Sequence, residues 1–300
     1  MKNEKQSFKA YKMKQKVIPY LFLTPNLLIF SIFIILPALI GLYYSFTDVN
    51  LFHMNEFSLI GFQNYVRLFK DAEFLAALWN TVKLVVVSVP IIFVSAMAIA
   101  MLIVQPLRAK GFYRATYYWP VMISAIVVGI IWNWILGGSF GLFNTFITKL
   151  GFAESDTLIN PNFAWWSIVL AIVWSRTGYY MIIFMAALLS IPESLYEASD
   201  MDGANKVQKF RFITYPSLRA ARLMVFILVT MEVFKTYPIV VKLTAGGPSN
   251  ATTYTVQYIY ETAFSTTYDV GYASAMSMIL LLFVTILTAA NFFLNKGGTD

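Results

Sequence analysis

The segment IPESLYEASDMDGANKVQKFRFITYPS (191–217) is a strongly polar run inside a chain that is otherwise mostly apolar. Its pattern predicts two short helices joined by a turn. Asp202-Gly203 should interrupt the first helix, because Gly tolerates the left-handed conformation that ends helices. The second helix is expected over 204–212, and Pro216 is expected to close it. A charged helix–turn–helix that is exposed beside a membrane bundle can serve as a binding surface for a soluble protein.

The composition around this segment is that of a membrane protein. The 300 residues are 59% hydrophobic and 12% charged, whereas soluble domains carry roughly 25% charged residues. An all-α polytopic membrane protein is therefore expected. The absence of Cys and the single His exclude disulfides and thiolate sites and disfavour His-based catalysis, so we expect no catalytic residue and no metal. The net charge of +7 indicates membrane topology rather than nucleic-acid binding, because the basic residues cluster beside the apolar runs.

The apolar runs predict six transmembrane helices. The expected spans are 17–46, 82–104, 115–136, 164–189, 220–240 and 271–294. Each is long enough to cross a hydrocarbon core of about 30 Å, at about 1.5 Å per helical residue. Residues 1–16 are expected to form a basic N-terminus, and 77–294 a five-helix core that contains the polar segment. Basic residues concentrate in the N-terminus, the 105–114 turn, the polar segment and the tail, which places both termini in the cytoplasm.

The polar segment also carries a family pattern. The residues EAS (197–199), Gly203 and ITYP (213–216) fit the spacing E-A-A-x-x-x-G-x9-I-x-L-P, with Ser199 in place of the second Ala and Tyr215 in place of the Leu. The sequence resembles the membrane permease subunits of binding-protein-dependent ABC importers. The alternative interpretation of the polar segment is an ordinary amphipathic cytoplasmic loop with no docking role.

This resemblance implies a type-1 ABC importer transmembrane domain, similar to the maltose-type carbohydrate permeases, in the bacterial cytoplasmic membrane. In that family the polar loop docks on the ATP-hydrolysing subunit. The residues assigned to this coupling role are Glu197, Ala198, Ser199, Asp202, Gly203, Ala204 and Pro216. Glu197 is expected to pair with a basic residue of the ATPase, and Ala198 and Ala204 to allow close packing.

The resemblance also implies partners. These are a second homologous permease in a heterodimer, two cytoplasmic ATPase subunits, an external solute-binding protein and membrane lipid. The sequence contains no P-loop, so ATP and Mg are expected on the ATPases, and this chain is expected to bind no cofactor of its own and to be no enzyme. The implied substrate is a sugar or oligosaccharide, with glycerol phosphate or another small polar solute as the alternative.

Three ionisable residues lie within the predicted fourth and fifth spans, away from the first residues of each span: Arg176, Glu232 and Lys235. An ionised side chain at bilayer depth is costly unless it faces a partner or water, so all three should point into the bundle. They could line a polar pathway, form structural ion pairs of Glu232 with Lys235 or Arg176, or act as the relay of an ATP-independent secondary transporter.

The resemblance places the substrate between the fourth and fifth spans. Val229, Glu232, Val233 and Thr236 should then share one helical face toward it. Aromatic rings can stack on sugar faces, and charged or amide groups can bind hydroxyls. The expected pathway residues are Arg176, Tyr179, Tyr180, Glu232, Thr236 and Asn133.

Overall fold

The structure is a computed structural model that describes residues 18–138, 141–151 and 158–296. In this part of the chain, strand pairing is limited to two isolated bridges, Thr47 with Leu59 and Asn50 with Asp269. The all-α prediction is therefore confirmed. The predicted basic N-terminus lies outside the described residues.

Fifteen helices follow one another in the described residues. They are α1 (18–30), α2 (Leu36–Tyr44), α3 (Gln63–Leu68), α4 (Ala72–Val104), α5 (Lys110–Tyr118), α6 (Ala125–Leu136), α7 (Leu142–Lys149), α8 (Pro161–Leu189), α9 (Glu193–Met201), α10 (Lys206–Lys209), α11 (Tyr215–Ser217), α12 (Arg219–Phe234), α13 (Pro238–Leu243), α14 (Thr255–Phe264) and α15 (Val270–Lys296). Wide π-helical turns, Ser31–Ile35 and Phe210–Thr214, join α1 to α2 and α10 to α11. A 3₁₀ turn, Trp119–Met122, follows α5.

Long apolar helices lie where four of the six spans were expected. Ile18–Tyr44, Ala72–Val104, Pro161–Leu189 and Val270–Asn291 are each long and apolar enough to cross a membrane. The second of these begins ten residues earlier than the expected span at 82. The helix pair Lys110–Met122 and Ala125–Leu136 makes a fifth if it is counted as one span, although it is bent by 100°.

The prediction of a continuous third span over 115–136 is wrong. Pro120 lies in the 3₁₀ turn, Ile123 is extended at φ −83° and ψ 133°, and Ser124 caps the new helix α6 by accepting a hydrogen bond from the backbone N–H of Val127 at 3.4 Å. A proline has no N–H and a serine offers a cap, so this sequence ends one helix and starts another.

The predicted fifth span, 220–240, is also interrupted. Helix α12 ends at Phe234 after 16 residues, and α13 begins at Pro238. Pro238 has no N–H to bond the carbonyl of Phe234 and its ring would crowd that carbonyl, and the chain leaves helical geometry at Lys235, which has φ −93° and ψ 12°. The prediction of one helix through residue 240 is therefore wrong.

The chain divides into two compact units, 1–68 with 262–278 and 69–261 with 279–300. In the first unit, the buried side chain of Asn64 donates hydrogen bonds to the carbonyls of Ser45 (3.1 Å) and Thr47 (2.8 Å). Arg67 pairs with Asp269 at 2.7 Å. These contacts hold the loop between α2 and α3 and the start of α15 in place.

The core of the second unit lies between α4, α8 and α12. Phe93 of α4 meets the ring of Phe184 of α8 at 5.3 Å and that of Phe226 of α12 at 6.4 Å. Small residues let other helices approach closely, as is common in membrane bundles. A Cβ added to Gly129 of α6 would lie 2.6 Å from the carbonyl oxygen of Ile239 in α13.

Gly178 of α8 should be essential for the packing of α8 against α5. An added Cβ would overlap the carbonyl oxygen of Tyr117 and lie 2.8 Å from its carbonyl carbon. We expect Gly178→Ala to lower the free energy of unfolding by about 1–3 kcal/mol, because backbone must shift to make room. The measurement is the midpoint of thermal unfolding of the purified protein in detergent.

Gly111→Ala is the matched control, because no atom lies within 4 Å of a Cβ added there. It should leave the midpoint unchanged or slightly raised, since Ala favours helix more than Gly does. Equal midpoints for Gly178→Ala and the wild type would show that α8 and α5 do not meet in this way.

Candidate functional site

A cavity of about 330 Å³ lies between α8 and α12 in the second unit. It is lined by Val121, Arg176, Tyr179, Tyr180, Leu228 and Glu232. Four of the six predicted pathway residues therefore meet in one place.

An ion pair crosses this cavity. Arg176 Nη2 lies 2.8 Å from Glu232 Oε1, so the inter-helix pair that the sequence left open is present. The two side chains are 31% and 41% exposed, so the pair is not sealed in the core. Its remaining N–H groups and carboxylate lone pairs offer both donors and acceptors to a polar solute. Among the described residues, no group of three His, Cys, Asp or Glu side chains could hold a metal ion.

Two adjacent tyrosines form the aromatic wall of the cavity. Tyr180 is buried, whereas Tyr179 is 45% exposed. Their rings meet edge to face with centroids 5.2 Å apart. The buried ring thus supports the exposed one, which keeps a face available to a ligand.

Thr236 and Asn133 do not join this group, and neither is among the described residues that line the cavity. Thr236 lies beyond the end of α12, and its hydroxyl donates to the carbonyl of Glu232 at 3.5 Å. The side chain of Asn133 donates to the carbonyl of Leu243 at 2.8 Å and so ties α6 to α13.

The predicted pathway face of α12 is displaced. Val229 and Val233 are buried in the hydrophobic core instead of lining the cavity. Leu228, one turn before Glu232, takes their place, and Val121 of the 3₁₀ turn completes the wall. Sequence reasoning missed both residues, although Pro120 was a signal that a helix break would expose its neighbours.

The polar segment folds as a helical hairpin of α9 and α10. The turn between them has Gly203 at φ +70°, as predicted. The second helix begins at Lys206 rather than at Ala204, because Asn205 and Gln208 form a reciprocal capping box with bonds of 2.9 and 2.7 Å.

Pro216 does not close the hairpin, and that prediction is wrong. It lies in the first turn of α11, and the chain is interrupted only at Leu218, which has φ −79° and ψ 7°. The preceding π-helical turn bonds the N–H of Tyr215 to the carbonyl of Phe210. This wider turn accommodates a residue that has no N–H, so the proline stays within helical geometry.

Several bonds brace the hairpin internally. The hydroxyls of Tyr196 and Thr214 are 2.9 Å apart. Buried Ser199 donates to the carbonyl of Tyr196 at 2.7 Å and accepts, at its own carbonyl, the N–H of Ala204 at 2.9 Å. These contacts tie α9 to the turn before α10 and to the π-helical turn after it.

Three apolar side chains in the hairpin and in the π-helical turn after it are strongly exposed. Met201, Val207 and Phe212 are 89%, 73% and 70% exposed. Glu197 and Asp202 are exposed beside them. Exposed apolar side chains rimmed by charge are typical of a protein–protein interface.

A family model covers nearly the whole chain. Residues 15–297 match the model described as the inner membrane component of binding-protein-dependent transport systems. The chain belongs to this family. It is therefore a multi-pass permease subunit of the inner membrane, and the expected family is confirmed.

Two curated relatives show how far the likeness extends. The permease is 34% identical to the probable starch degradation products transport system permease protein AmyD of Thermoanaerobacterium thermosulfurigenes, which covers 96% of this chain and 97% of the relative. It is 30% identical to the sulfoquinovosyl glycerol transport system permease protein SmoG of Agrobacterium fabrum, over 91% of this chain and 89% of the relative.

The permease fold also matches a solved structure. A chain of a bacterial ABC transporter involved in the import of alginate superposes with a TM-score of 0.82, at 22% identity, over 97% of this chain and 100% of that chain. The fold is that of a type-1 ABC importer permease, as predicted. The predicted number of six spans is not confirmed, because four of the described helices, or five with the bent pair counted as one, are long and apolar enough to cross a membrane.

The Arg176–Glu232 pair should contribute to the stability of the permease. We expect Arg176→Met to lower the free energy of unfolding by about 1–2 kcal/mol, because it leaves a carboxylate without its partner at bilayer depth. The loss should be smaller than for a sealed pair, since both side chains are partly exposed. The double variant Arg176→Met/Glu232→Met should recover most of it, as measured by thermal unfolding in detergent.

Lys209→Met is the control, because it removes a cation from a pair in the hairpin whose acid, Asp200, is 66% exposed and so stays solvated without its partner. Its cost should stay below about 1 kcal/mol. A double variant as unstable as Arg176→Met alone would rule out a coupled pair.

Proposed function

We propose that this permease carries a sugar or oligosaccharide through the cavity between α8 and α12. The observation that supports this most directly is the composition of the cavity wall. Arg176 and Glu232 supply donors and acceptors for hydroxyls, and Tyr179 supplies an exposed aromatic face for a sugar ring. The relatives named for starch degradation products and for sulfoquinovosyl glycerol support the same substrate class.

A second candidate substrate is a small anionic solute. The permease is 32% identical to the sn-glycerol-3-phosphate transport system permease protein UgpA of Salmonella choleraesuis. The guanidinium of Arg176 suits a phosphate. We favour a neutral sugar because Glu232 already balances the charge of Arg176 in the cavity.

We further propose that the hairpin couples transport to ATP hydrolysis on separate subunits. Its exposed Met201, Val207 and Phe212 would enter a cleft of an ATPase, and Glu197 would pair with a basic residue at its edge. Gly203 sets the turn between the helices, and buried Ser199 would act by holding the hairpin together.

The assembly would follow the family. The 77–294 core would pair with a second permease, two ATPases would bind the cytoplasmic hairpins, and an external binding protein would deliver the solute. Both termini would face the cytoplasm, in agreement with the distribution of basic residues. In alternating access, closure of the ATPases would carry the hairpins together and open the cavity outward.

Glu197→Lys should weaken coupling. We expect ATPase binding to fall about tenfold or more, and solute-stimulated ATP hydrolysis with it, because a charge pair at the interface becomes a repulsion. The measurements are pull-down of the ATPase by the membrane complex and phosphate release in proteoliposomes.

Glu193→Lys is the matched control, since Glu193 is an exposed acid one turn earlier on the same helix. Glu193 is in the first turn of α9, so a lysine there destabilises the helix more than a lysine at 197 does. An effect seen only in Glu197→Lys therefore cannot come from a weakened helix. Unchanged coupling in Glu197→Lys would refute the docking role, and uptake in vesicles without any ATPase would support a secondary transporter.

Tyr179 should contribute through its ring rather than its hydroxyl. We expect Tyr179→Ala to lower the rate of sugar uptake about tenfold and Tyr179→Phe to retain most of it, because only the first removes the stacking face. Radiolabelled uptake by the reconstituted transporter is the measurement. Equal losses in the two variants would instead assign the role to the hydroxyl.

A further inference from the structure

A second, longer depression lies in the second unit between α4, α12 and α15. Two adjoining cavities of about 200 and 350 Å³ share Pro90, Phe226 and Asn291, so they form one continuous groove. We refer to it as the α4–α12–α15 groove. Its first half is almost wholly apolar, with Val86, Phe234 and Leu287 among its walls.

The other half of the groove is basic. Arg219 and Arg222 line it together with Tyr215, and the described lining residues of this half include no Asp or Glu. The guanidinium of Arg222 stacks on the ring of Tyr215 at 3.5 Å. Its Nε–H is buried and has no hydrogen-bond acceptor among the described residues. A buried donor of this kind is costly, and the groove around it carries two guanidinium groups and no carboxylate among its described lining residues, which suits an anion.

The dimensions of the groove suit one lipid molecule in one leaflet. From Arg219 to Phe234, α12 rises about 22 Å at about 1.5 Å per residue, whereas one leaflet contributes about 15 Å of hydrocarbon. The basic end is joined to the hairpin by the π-helical turn and α11, and the proposed function places the hairpin at the cytoplasmic surface.

We propose that the α4–α12–α15 groove binds an anionic phospholipid of the cytoplasmic leaflet. One acyl chain lies along Val86, Phe226 and Leu287, and the phosphate accepts hydrogen bonds from Arg222, with Arg219 adding positive charge. The site is separate from the transport cavity. Phe226 and Thr230 line the groove, whereas Leu228 and Glu232 line the cavity, and two residues along a helix correspond to about 200° of rotation.

Lipid retention by the assembled transporter tests this proposal. The complex is exchanged into nanodiscs with equal amounts of phosphatidylglycerol and phosphatidylcholine, washed in detergent, and its bound lipid is counted by native mass spectrometry. We expect the wild type to retain phosphatidylglycerol in preference to phosphatidylcholine. Arg222→Gln should weaken this retention about tenfold, because one charge-assisted contact is lost. Equal retention by wild type and Arg222→Gln would overturn the proposal.

Arg114→Gln is the matched control, because it removes the same charge from an exposed position in α5, outside the groove. It should retain phosphatidylglycerol as the wild type does. If it loses as much as Arg222→Gln, the effect is general surface charge and the site is refuted.

A probe in the apolar half locates the acyl chain. The sequence has no Cys, so a fluorophore on Val86→Cys reports from one position. Phosphatidylglycerol with a brominated acyl chain should quench it more strongly than brominated phosphatidylcholine, and Arg222→Gln should remove the difference. Cross-linking of Val86→Cys to the second permease would instead show a subunit contact and overturn the proposal. Because no arm measures transport, failure here leaves the uptake proposal standing.

Discussion

Hydrocarbon offers no hydrogen-bond partner to a peptide group, so a membrane helix can be interrupted only where protein or water satisfies the freed N–H and C=O groups. This permease interrupts helices at 123–124 and at 235–237. At the second break the chain bonds to itself, with the N–H of Lys235 on the carbonyl of Glu232 at 3.1 Å. The first break begins two residues after Val121, which lines the cavity with the Arg176–Glu232 pair. The irregular backbone thus lies beside the polar cavity, where it is tolerated.

The same constraint explains which parts of the fold could be predicted. Long apolar runs without a central proline, such as Pro161–Leu189, can only be continuous helices, and composition finds them. The breaks depend on individual residues, whose effect is lost when hydropathy is averaged over a window. These residues are Pro120 and Ser124 at the first break and Pro238 at the second. At Pro216 the sequence predicted a helix end where the helical geometry in fact continues. The π-helical turn just before it accommodates a residue without an N–H, and the local residue pattern does not predict that turn.

The charged pair of the candidate site could be predicted from the sequence, but the apolar residues that line the cavity could not. Burial cost alone requires Arg176 and Glu232 to find each other or water, and they do. Which valines face the cavity depends on the rotation of α12 within the bundle. That rotation is set by packing against α4 and α8, with Val229 and Val233 in the core, and it has no signature in the spacing of one helix. Asn133 was predicted to bind substrate because the sequence shows no partner for its amide. Its actual partner, the backbone carbonyl of Leu243, is brought close only by the fold.

Helix α12 connects the features to which we assign function. It begins one residue after α11, which follows the hairpin through a π-helical turn. It carries Arg222 and Phe226 in the α4–α12–α15 groove on one side, and Leu228 and Glu232 in the cavity on the other. A helix is stiff along its axis, so a displacement of the hairpin that tilts α12 must move both side-chain rows together. Helix α12 rises only about 22 Å from Arg219 to Phe234, and a break follows Phe234. If the hairpin docks on an ATPase as proposed, this break would allow α12 to tilt separately from α13. The motion would then act on the Arg176–Glu232 contact rather than on the packing of α6 against α13.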